Sequence, residues 1–546
     1  MFKKSFLLIS AYLLFHLSNA QNVSQGLKYM DMEQYGNARK TFVSLASANP
    51  QNAEFQYYLG DFYIKYAFID TTANEGLDSA KVCFTKGLSL DPKNPLNYVG
   101  LGTLKYLNRE WDSSKVYFDQ ALKLSKQKNA LVFFKIGEAY LYKGAKDVNI
   151  AIPQLEKAQS LDPKNTDIII ALGDAYLIAD KGSATRAIKQ YSMALDKNPK
   201  LAKAFIKKGK IYLMVKNYEE ALKYYNEGIE ADPSYSPAYR ERAELYFKLK
   251  GYREKAPSEY KKYLSMSDGN YKSKFRFAYF CFTVGDYDDA VAQLNELYKI
   301  NPQDRILYRL SAYCDYEEGA ITTDSVAAKK YFKDGLTDIQ KFFKMTTDTN
   351  KLIASDYEYY GKLLLKNGKD AEGIKYLFKA TQKDSTKYEV YGDLGKYYND
   401  KKKYALAGDM YSKYYSYKTP GANDLLNWGR AYYNAEQFER ADSVFSILVT
   451  TRPEEILGYK WRALANARDD KDAKTGKGVP FYEKFIEMAQ QKDANKYKND
   501  IIAGYTYLGK YYLHAKNINK SKQYWKKILE LDPNDANAKM VLGSIK

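Results

Sequence analysis

Histidine is nearly absent from this chain of 546 residues, which contains only His16 and His514. Zinc sites rich in histidine need several imidazoles, and a Ser-His-Asp triad needs one at a fixed place, so we expect neither. The sequence also lacks a glycine-rich loop ending in Gly-Lys-Ser or Gly-Lys-Thr, and it has no Cys-x-x-Cys pair. These absences predict a protein without a cofactor, without a metal site and without enzymatic activity.

Cysteine is almost as scarce. Cys83, Cys281 and Cys314 are too few and too widely spaced to form a disulfide framework. Cys281 and Cys314 are the two nearest in sequence, so a single bridge between them is possible in an oxidising compartment. The alternative is that all three are buried apolar thiols.

Long apolar runs are missing after Ala20, so we predict no transmembrane segment. The stretch before that point combines Lys3 and Lys4, an apolar run from Phe6 to Leu17, and small residues at 18–20. This pattern is typical of a cleaved signal peptide, here residues 1–20. We therefore predict export to the periplasm, with secretion or membrane association through an uncleaved signal as the alternatives.

Negative charge is outweighed by positive charge, which leaves a formal net charge of +19. An excess of this size favours acidic partners or an anionic envelope surface, to which the chain could attach peripherally. The lysines are scattered along the sequence, which does not indicate nucleic-acid binding. Scattered lysines also keep a protein soluble, and this alternative stays open.

What the sequence has in abundance is a periodic pattern of small residues, aromatic residues and a closing proline. One copy of the pattern contains Gly173, Tyr176, Ala187, Tyr191 and Pro199, and the next contains Gly209, Tyr212, Ala221, Tyr225 and Pro233. The two closing prolines are separated by about 34 residues, and a period of this length indicates a stack of helical hairpins. Each hairpin in such a stack packs on its neighbours.

The pattern resembles the tetratricopeptide repeat (TPR) family along nearly the whole chain. The resemblance implies an all-α, right-handed superhelical solenoid of about 14 antiparallel helix pairs. The predicted divisions are a signal peptide (1–20), an N-terminal array (21–340), an irregular joint (341–356), a C-terminal array (357–535) and a capping helix (536–546). Longer loops are expected at 70–74, 320–325 and 469–478, the last with solvated carboxylates at Asp469, Asp470 and Asp472.

In this family the first helix of each pair lines a concave groove. Carrying that position across the sequence predicts a partner-binding groove formed by Asp61, Tyr106, Glu138, Tyr142, Asp174, Lys210, Met214, Lys362, Lys396, Arg430, Lys510 and His514. The predicted groove changes from acidic to basic along the array. An extended peptide or a partner helix would suit it.

The resemblance implies a non-enzymatic scaffold of the cell envelope that binds a protein partner, which could be acidic or carry an extended segment. Some members hold a terminal carboxylate with lysines, an arginine and asparagines, but the traced groove positions contain no asparagine, so that clamp is not expected. The alternative is binding of a glycan or cell-wall polymer by exposed members of the 55 tyrosines, since tyrosine stacks on sugar faces.

Overall fold

The structure is a computed structural model that describes residues 22–69, 76–142, 147–180 and 184–545. The predicted signal peptide and the predicted loop at 70–74 lie outside these ranges. Within them the regular secondary structure is entirely helical. No helix in the described ranges combines the length and the apolar character that crossing a membrane requires.

The chain divides into two compact units, Met1–Cys314 and Asp315–Lys546, called here the N-terminal and C-terminal units. The helices of the N-terminal unit are α1 (22–31), α2 (Tyr35–Ala48), α3 (Ala53–Ile69), α4 (Gly76–Leu90), α5 (Pro95–Leu107), α6 (Trp111–Leu124), α7 (Ala130–Leu141), α8 (Val148–Leu161), α9 (Thr166–Ala179), α10 (Thr185–Lys197), α11 (Ala202–Met214), α12 (Tyr218–Ala231), α13 (Ser236–Lys248), α14 (Ala256–Met266), α15 (Tyr271–Val284) and α16 (Tyr287–Ile300).

The boundary between the units falls inside α17 (Arg305–Ile321). The C-terminal unit continues with α18 (Ser325–Met345), α19 (Ala354–Lys366), α20 (Asp370–Lys383), α21 (Glu389–Asp400), α22 (Tyr404–Tyr415), α23 (Ala422–Asn434), α24 (Phe438–Thr451), α25 (Ile456–Asp469), α26 (Val479–Asp493), α27 (Lys498–His514), α28 (Ile518–Leu531) and α29 (Ala536–Ser544).

Odd-numbered helices are the first and even-numbered helices the second members of successive pairs, and α29 follows the last pair. The described residues thus contain 14 pairs, which confirms the predicted all-α repeat solenoid. In several repeats a proline follows the second helix and cannot continue it, as Pro199 follows α10 and Pro233 follows α12. Capping residues then start the next first helix: Asn94 begins α5 by accepting the backbone N–H groups of Leu96 at 3.1 Å and Asn97 at 3.3 Å.

In several repeats the small residue of the first helix admits an aromatic ring from the second. Phe84 of α4 is fully buried, and a Cβ added at Gly60 of α3 would lie 2.4 Å from its ring. A Cβ added at Gly100, on the first helix of the next pair, would also lie 2.4 Å from that ring. The ring therefore occupies a slot between two glycine surfaces, which explains why the repeat needs both residue types.

We expect Gly60→Ala to lower the free energy of unfolding by about 1–3 kcal/mol, because the new methyl group overpacks the ring of Phe84. Gly543→Ala is the matched control, since no atom lies within 4 Å of a Cβ at that helical glycine. Urea unfolding of both variants measures the difference. Recovery of stability on adding Phe84→Leu would assign the loss to this contact, whereas equal stability of the two alanine variants would contradict it.

Two predicted irregular segments have different local structures. The loop expected at 320–325 is shorter than predicted: α17 runs to Ile321 and α18 begins at Ser325, so only residues 322–324 are non-helical. The predicted joint at 341–356 overlaps the end of α18, and an irregular stretch with one 3-10 turn follows at 346–353 inside the C-terminal unit. As a domain border, 341–356 stays a prediction.

The three cysteines are thiols outside any disulfide, and all three are buried. Cys281 and Cys314 each have no measurable exposure. Burial raises the pKa of Cys281 to about 12 and that of Cys83 to about 11. Of the two alternatives from the sequence, the structure has buried apolar thiols.

Candidate functional site

Charged side chains on different first helices of the N-terminal unit form ion pairs. Lys135 Nζ on α7 lies 3.1 Å from Asp61 Oδ2 on α3 and 2.7 Å from Glu138 Oε2 on its own helix. Lys207 Nζ on α11 lies 2.6 Å from Asp174 Oδ2 on α9. The acidic groups predicted to face a partner are thus held by basic groups of the array itself.

The same arrangement continues along the unit. Lys210 Nζ of α11 lies 2.8 Å from Glu241 Oε1 of α13, and Arg276 Nη2 of α15 lies 2.7 Å from Glu244 Oε2 of α13. Each pair joins two successive first helices. Lys210, predicted to belong to the groove, therefore contributes to the cohesion between repeats.

These ion pairs correct the prediction of an acidic groove at the N-terminal end. Burial by itself would raise the pKa of Asp61 and of Glu138, but the nearby ammonium group of Lys135 holds both below their ordinary values. Both carboxylates are therefore ionised, and their negative charge is already compensated by lysines of the array. Asp61 is also only 8% exposed, which leaves little of it for a partner to contact.

The predicted aromatic groove residues have structural roles. Tyr106 is buried, donates a hydrogen bond to Asp147 Oδ2 at 2.7 Å and packs edge-on against Trp111. Tyr142 stacks on Phe68 with ring centroids 5.4 Å apart. Tyr106 lines a cavity of about 560 Å³ together with residues of the second helices α6 and α8, so it does not share a surface with the charged groove positions. Burial thus removes Tyr106 from the candidate site, whereas Tyr142 stays a prediction.

Five other predicted residues remain accessible at their surfaces. Met214 is 67% exposed at the end of α11. In the C-terminal unit Lys396, Arg430, Lys510 and His514 are exposed. Within the described part of the chain, no carboxylate lies within ion-pair distance of these four basic residues.

Lys362 differs from the other basic residues of the predicted groove. Its Nζ lies 2.8 Å from Glu358 Oε1 and 3.1 Å from Asp393 Oδ2. Burial lowers its pKa, but the two carboxylates outweigh this effect and raise the pKa above its ordinary value. Lys362 therefore resembles the paired lysines of the N-terminal unit and offers no free charge.

Lys396 and Arg430 come together at a cavity of about 410 Å³ formed by α21, α22 and α23. Its full lining consists of Lys396, Asn399, Asp400, Lys402, Tyr404, Tyr411, Asn427, Arg430 and Asn434. We call this set the basic cavity. Its three cations face one carboxylate, and in the described structure none of the three has a carboxylate oxygen within 4.0 Å.

The asparagines of the basic cavity were missed at the sequence level, because the groove positions traced along α21 and α23 were only Lys396 and Arg430. The spacing of residues along each helix would have identified these asparagines. Asn399 follows Lys396 by three positions, and Asn427 and Asn434 lie three before and four after Arg430. Residues at these spacings share one face of a helix. The amides therefore add hydrogen-bond donors beside the cations.

A possible metal-binding group in the described residues is Cys281 with Asp286 and Asp289, whose ligand atoms lie within 4.8 Å of one another. Metal binding requires the thiolate form of cysteine. Burial keeps the thiol of Cys281 protonated by raising its pKa to about 12. Asp289 is also held by Lys261 at 2.8 Å. The chemistry of this group does not favour a metal centre.

Exposed tyrosines are rare in the described structure. Among the residues that the structure describes, the exposed tyrosines are Tyr252, Tyr279 and Tyr417, at 39%, 36% and 55%. The others pack within and between the repeats, as Tyr191 does at 0% exposure. Packing thus explains the surplus of tyrosine, which gives no support to glycan binding by exposed rings.

Comparison with known proteins agrees with this architecture. Two family models, each described as a tetratricopeptide repeat, match residues 23–65 and 202–235. A solved structure of the C-terminal part of a TPR repeat-containing protein from Cytophaga hutchinsonii is 32% identical, and the match covers 49% of this chain and 99% of that one, with a TM-score of 0.36. The chain belongs to the tetratricopeptide repeat family.

Other solved TPR proteins are more distant. One from Parabacteroides merdae is 20% identical, with 48% of this chain and 96% of that chain covered and a TM-score of 0.30. YrrB, described as a TPR protein with an unusual peptide-binding site, is 23% identical, with 36% and 95% covered and a TM-score of 0.24. A search of curated proteins finds no match.

Membership of the TPR family indicates a scaffold for protein–protein interaction, since TPR domains bind protein partners. Within the described residues of this TPR protein, the acidic and basic positions of the predicted groove divide into two classes. Asp61, Glu138, Asp174, Lys210 and Lys362 are engaged in ion pairs. Lys396, Arg430, Lys510 and His514 are exposed, and in the described part of the chain none of them has a carboxylate within ion-pair distance.

Proposed function

We propose that this TPR protein is a non-enzymatic scaffold that holds an acidic segment of a partner protein at the basic cavity. The observation that carries the proposal is the set of three cations, Lys396, Lys402 and Arg430, without a carboxylate within 4.0 Å in the described structure. Elsewhere along the first helices, many basic residues are neutralised by their neighbours. Charges left unpaired at a cavity favour an oppositely charged ligand.

The chemistry of the basic cavity suits carboxylates presented by an extended chain. The Arg430 guanidinium can donate two parallel hydrogen bonds to one carboxylate. The amides of Asn427 and Asn434 can donate to backbone or side-chain oxygens beside it. The single acidic residue of the lining, Asp400, would disfavour a ligand that places negative charge at that end of the cavity.

We expect the double charge reversal Lys396→Glu and Arg430→Glu to weaken binding of an acidic partner peptide at least about 100-fold, or about 2.7 kcal/mol. Partner peptides would come from crosslinking and mass spectrometry with the full chain, and titration calorimetry at two salt concentrations would measure affinity. Lys492→Glu combined with Lys498→Glu is the matched control, because it makes the same total charge change at exposed residues of α26 and α27 that do not line the cavity. Unchanged affinity in the double variant would rule out the basic cavity.

We also propose that the scaffold acts in the cell envelope, in the periplasm of a Gram-negative cell. The support is the signal-like composition of residues 1–20. An acidic envelope protein is the partner that the net charge favours. Cell fractionation combined with sequencing of the mature N-terminus tests this location, and a cytoplasmic protein that retains Met1 would contradict it.

A further inference from the structure

The turn between α1 and α2 contacts residues that lie between 172 and 232 positions further along the chain. We call residues 31–36 the clasp turn; its sequence is Asp31-Met32-Glu33-Gln34-Tyr35-Gly36. Its partners lie on α11, α13 and α14 and in the turn after α14, all within the N-terminal unit. In a simple repeat stack this turn would contact only neighbouring repeats.

Both acidic side chains of the clasp turn are bound by cations. Lys203 Nζ lies 2.9 Å from Asp31 Oδ1. Glu33 is held on both oxygens, since Arg240 Nη1 donates to Oε1 and the Tyr263 hydroxyl donates to Oε2 at 2.6 Å. Tyr263 is 1% exposed. The residues that contact the clasp turn thus recognise two carboxylates that lie two positions apart in the sequence.

The backbone of the clasp turn is recognised as well. The Ser236 hydroxyl, fully buried, donates to the carbonyl oxygen of Met32, and the Asp268 N–H donates to the carbonyl oxygen of Glu33 at 3.1 Å. Asp268 Oδ2 accepts the N–H of Gly36. Gln34 Nε2 donates to the carbonyl oxygen of Met266 at 2.9 Å. Side-chain and backbone contacts together hold the clasp turn in one conformation, as in a peptide complex.

An equivalent turn elsewhere in the chain shows that the docking is not a general property of the repeat. Glu436-Gln437 occupies the same place between α23 and α24, and Glu436 has a φ of 57° where Glu33 has 58°. Glu436 is exposed, and no basic group lies within 4.0 Å of its carboxylate in the described residues. The backbone conformation is therefore common to the two turns, whereas the binding of Glu33 depends on the residues that contact the clasp turn.

We infer that the receiving surface, formed by Lys203, Ser236, Arg240, Tyr263 and residues 266–268, is a second peptide-binding site that is specific for an acidic turn and is occupied by the chain's own residues 31–36. A partner that carries an Asp-x-Glu-Gln turn competes with the clasp turn for this surface. The site is separate from the basic cavity, so the inference does not depend on the function proposed for that cavity.

Hydrogen–deuterium exchange of the full chain tests whether the clasp turn occupies the surface. We expect Glu33→Ala to increase exchange rates at least about tenfold in residues 31–36 and in 256–268, since loss of a docking contact increases local opening. Glu436→Ala is the matched control, because it removes the same side chain from the same backbone conformation. The charge exchange Glu33→Arg with Arg240→Glu should restore protection. Unchanged exchange at 256–268 in Glu33→Ala would overturn the inference.

A labelled peptide with the sequence of residues 28–38 then tests whether the surface binds a ligand in trans. We expect saturable binding to the Glu33→Ala chain and at least about tenfold weaker binding to the wild-type chain, in which the tethered turn competes at high effective concentration. Adding Arg240→Ala to the Glu33→Ala chain should abolish binding, and substituting the glutamate of the peptide should do the same. Absence of saturable binding to the Glu33→Ala chain, or equal binding to both chains, would overturn the inference.

Discussion

Lys135→Ala is expected to lower the free energy of unfolding of the N-terminal unit by about 3–5 kcal/mol, because it leaves the buried Asp61 and the partly buried Glu138 without their main partner. Lys135 is 6% exposed, and its Nζ joins Asp61 at 3.1 Å to Glu138 at 2.7 Å. Lys65 Nζ is a weaker second partner, at 3.3 Å from Asp61 and 3.8 Å from Glu138. Lys65 alone cannot compensate the negative charges of both carboxylates.

The effect should be measured by hydrogen exchange in α3 and α7 together with urea unfolding, because a repeat array need not unfold in one step. Lys115→Ala is the matched control, since Lys115 pairs with Asp119 at an exposed site and such pairs contribute about 0–1 kcal/mol. Equal effects of the two substitutions would show that the network around Lys135 does not stabilise the unit.

The network around Lys135 also sets a pH dependence. Asp61 and Glu138 have lowered pKa values in the folded chain, so their contribution is present above the ordinary carboxyl range and is lost as pH falls through the folded values. The pKa of Lys135 is raised, so its contribution is present below the ordinary lysine range and is lost at strongly alkaline pH. The cost of Lys135→Ala should therefore decrease in acid, where the two carboxyl groups become neutral.

Asp470→Ala is expected to destabilise the C-terminal unit by about 3–5 kcal/mol, since it leaves three donors without their acceptor. Asp470 is 4% exposed at the end of α25. It accepts the hydroxyl of Tyr507 at 2.6 Å and the backbone N–H groups of Thr475 at 2.9 Å and Gly476 at 2.8 Å. One carboxylate thus attaches the loop at 470–478 to α27.

Asp470→Asn separates the role of charge from that of shape, because it keeps the size of the side chain but replaces one acceptor oxygen with a donor. Asp472→Asn is the matched control, since Asp472 lies in the same loop with an exposed side chain. Exchange protection at 475–478 and the urea midpoint of the C-terminal unit would be measured. Equal behaviour of Asp470→Asn and Asp472→Asn would contradict a role for the buried charge.

The pKa of Asp470 provides an independent check. Burial raises this pKa, but the hydrogen bonds from Tyr507, Thr475 and Gly476 together hold it below its ordinary value. The stability that Asp470 contributes is therefore present above the ordinary carboxyl range and is lost as pH falls through the lowered value. The sequence prediction of solvated carboxylates at 469–478 is wrong for Asp470, because sequence adjacency does not show which carboxylate turns inward.

The repeat pattern was sufficient to predict the helices and their pairing because it reflects local packing. Gly209 in a first helix is followed by Tyr225 in the next second helix, and an added Cβ at Gly209 would lie 2.4 Å from the ring of Tyr225. Gly395 and Tyr411 are separated by the same number of positions, with a corresponding distance of 2.5 Å. A contact within one hairpin leaves a regular signal along the chain.

The candidate site was predictable only in part. Helical spacing places Lys396 and Arg430 at corresponding positions of two repeats, and the structure brings both to the basic cavity. The same rule could not show that Asp174 is neutralised by Lys207, which belongs to the next repeat. Whether a charge is available to a partner depends on side chains from other repeats, and no periodic pattern records those neighbours.

By itself, the sequence determined that the protein is a TPR solenoid of successive helix pairs, because small residues such as Gly209 and their aromatic partners belong to one hairpin. Only the tertiary structure decided which charges remain open at the basic cavity and which are neutralised between first helices. Glu33 and Glu436 lie in turns of the same conformation, and only the tertiary structure showed that Glu33 is bound whereas Glu436 is exposed. The physical reason is distance along the chain: Arg240 reaches Glu33 across 207 positions, and only folding brings them together.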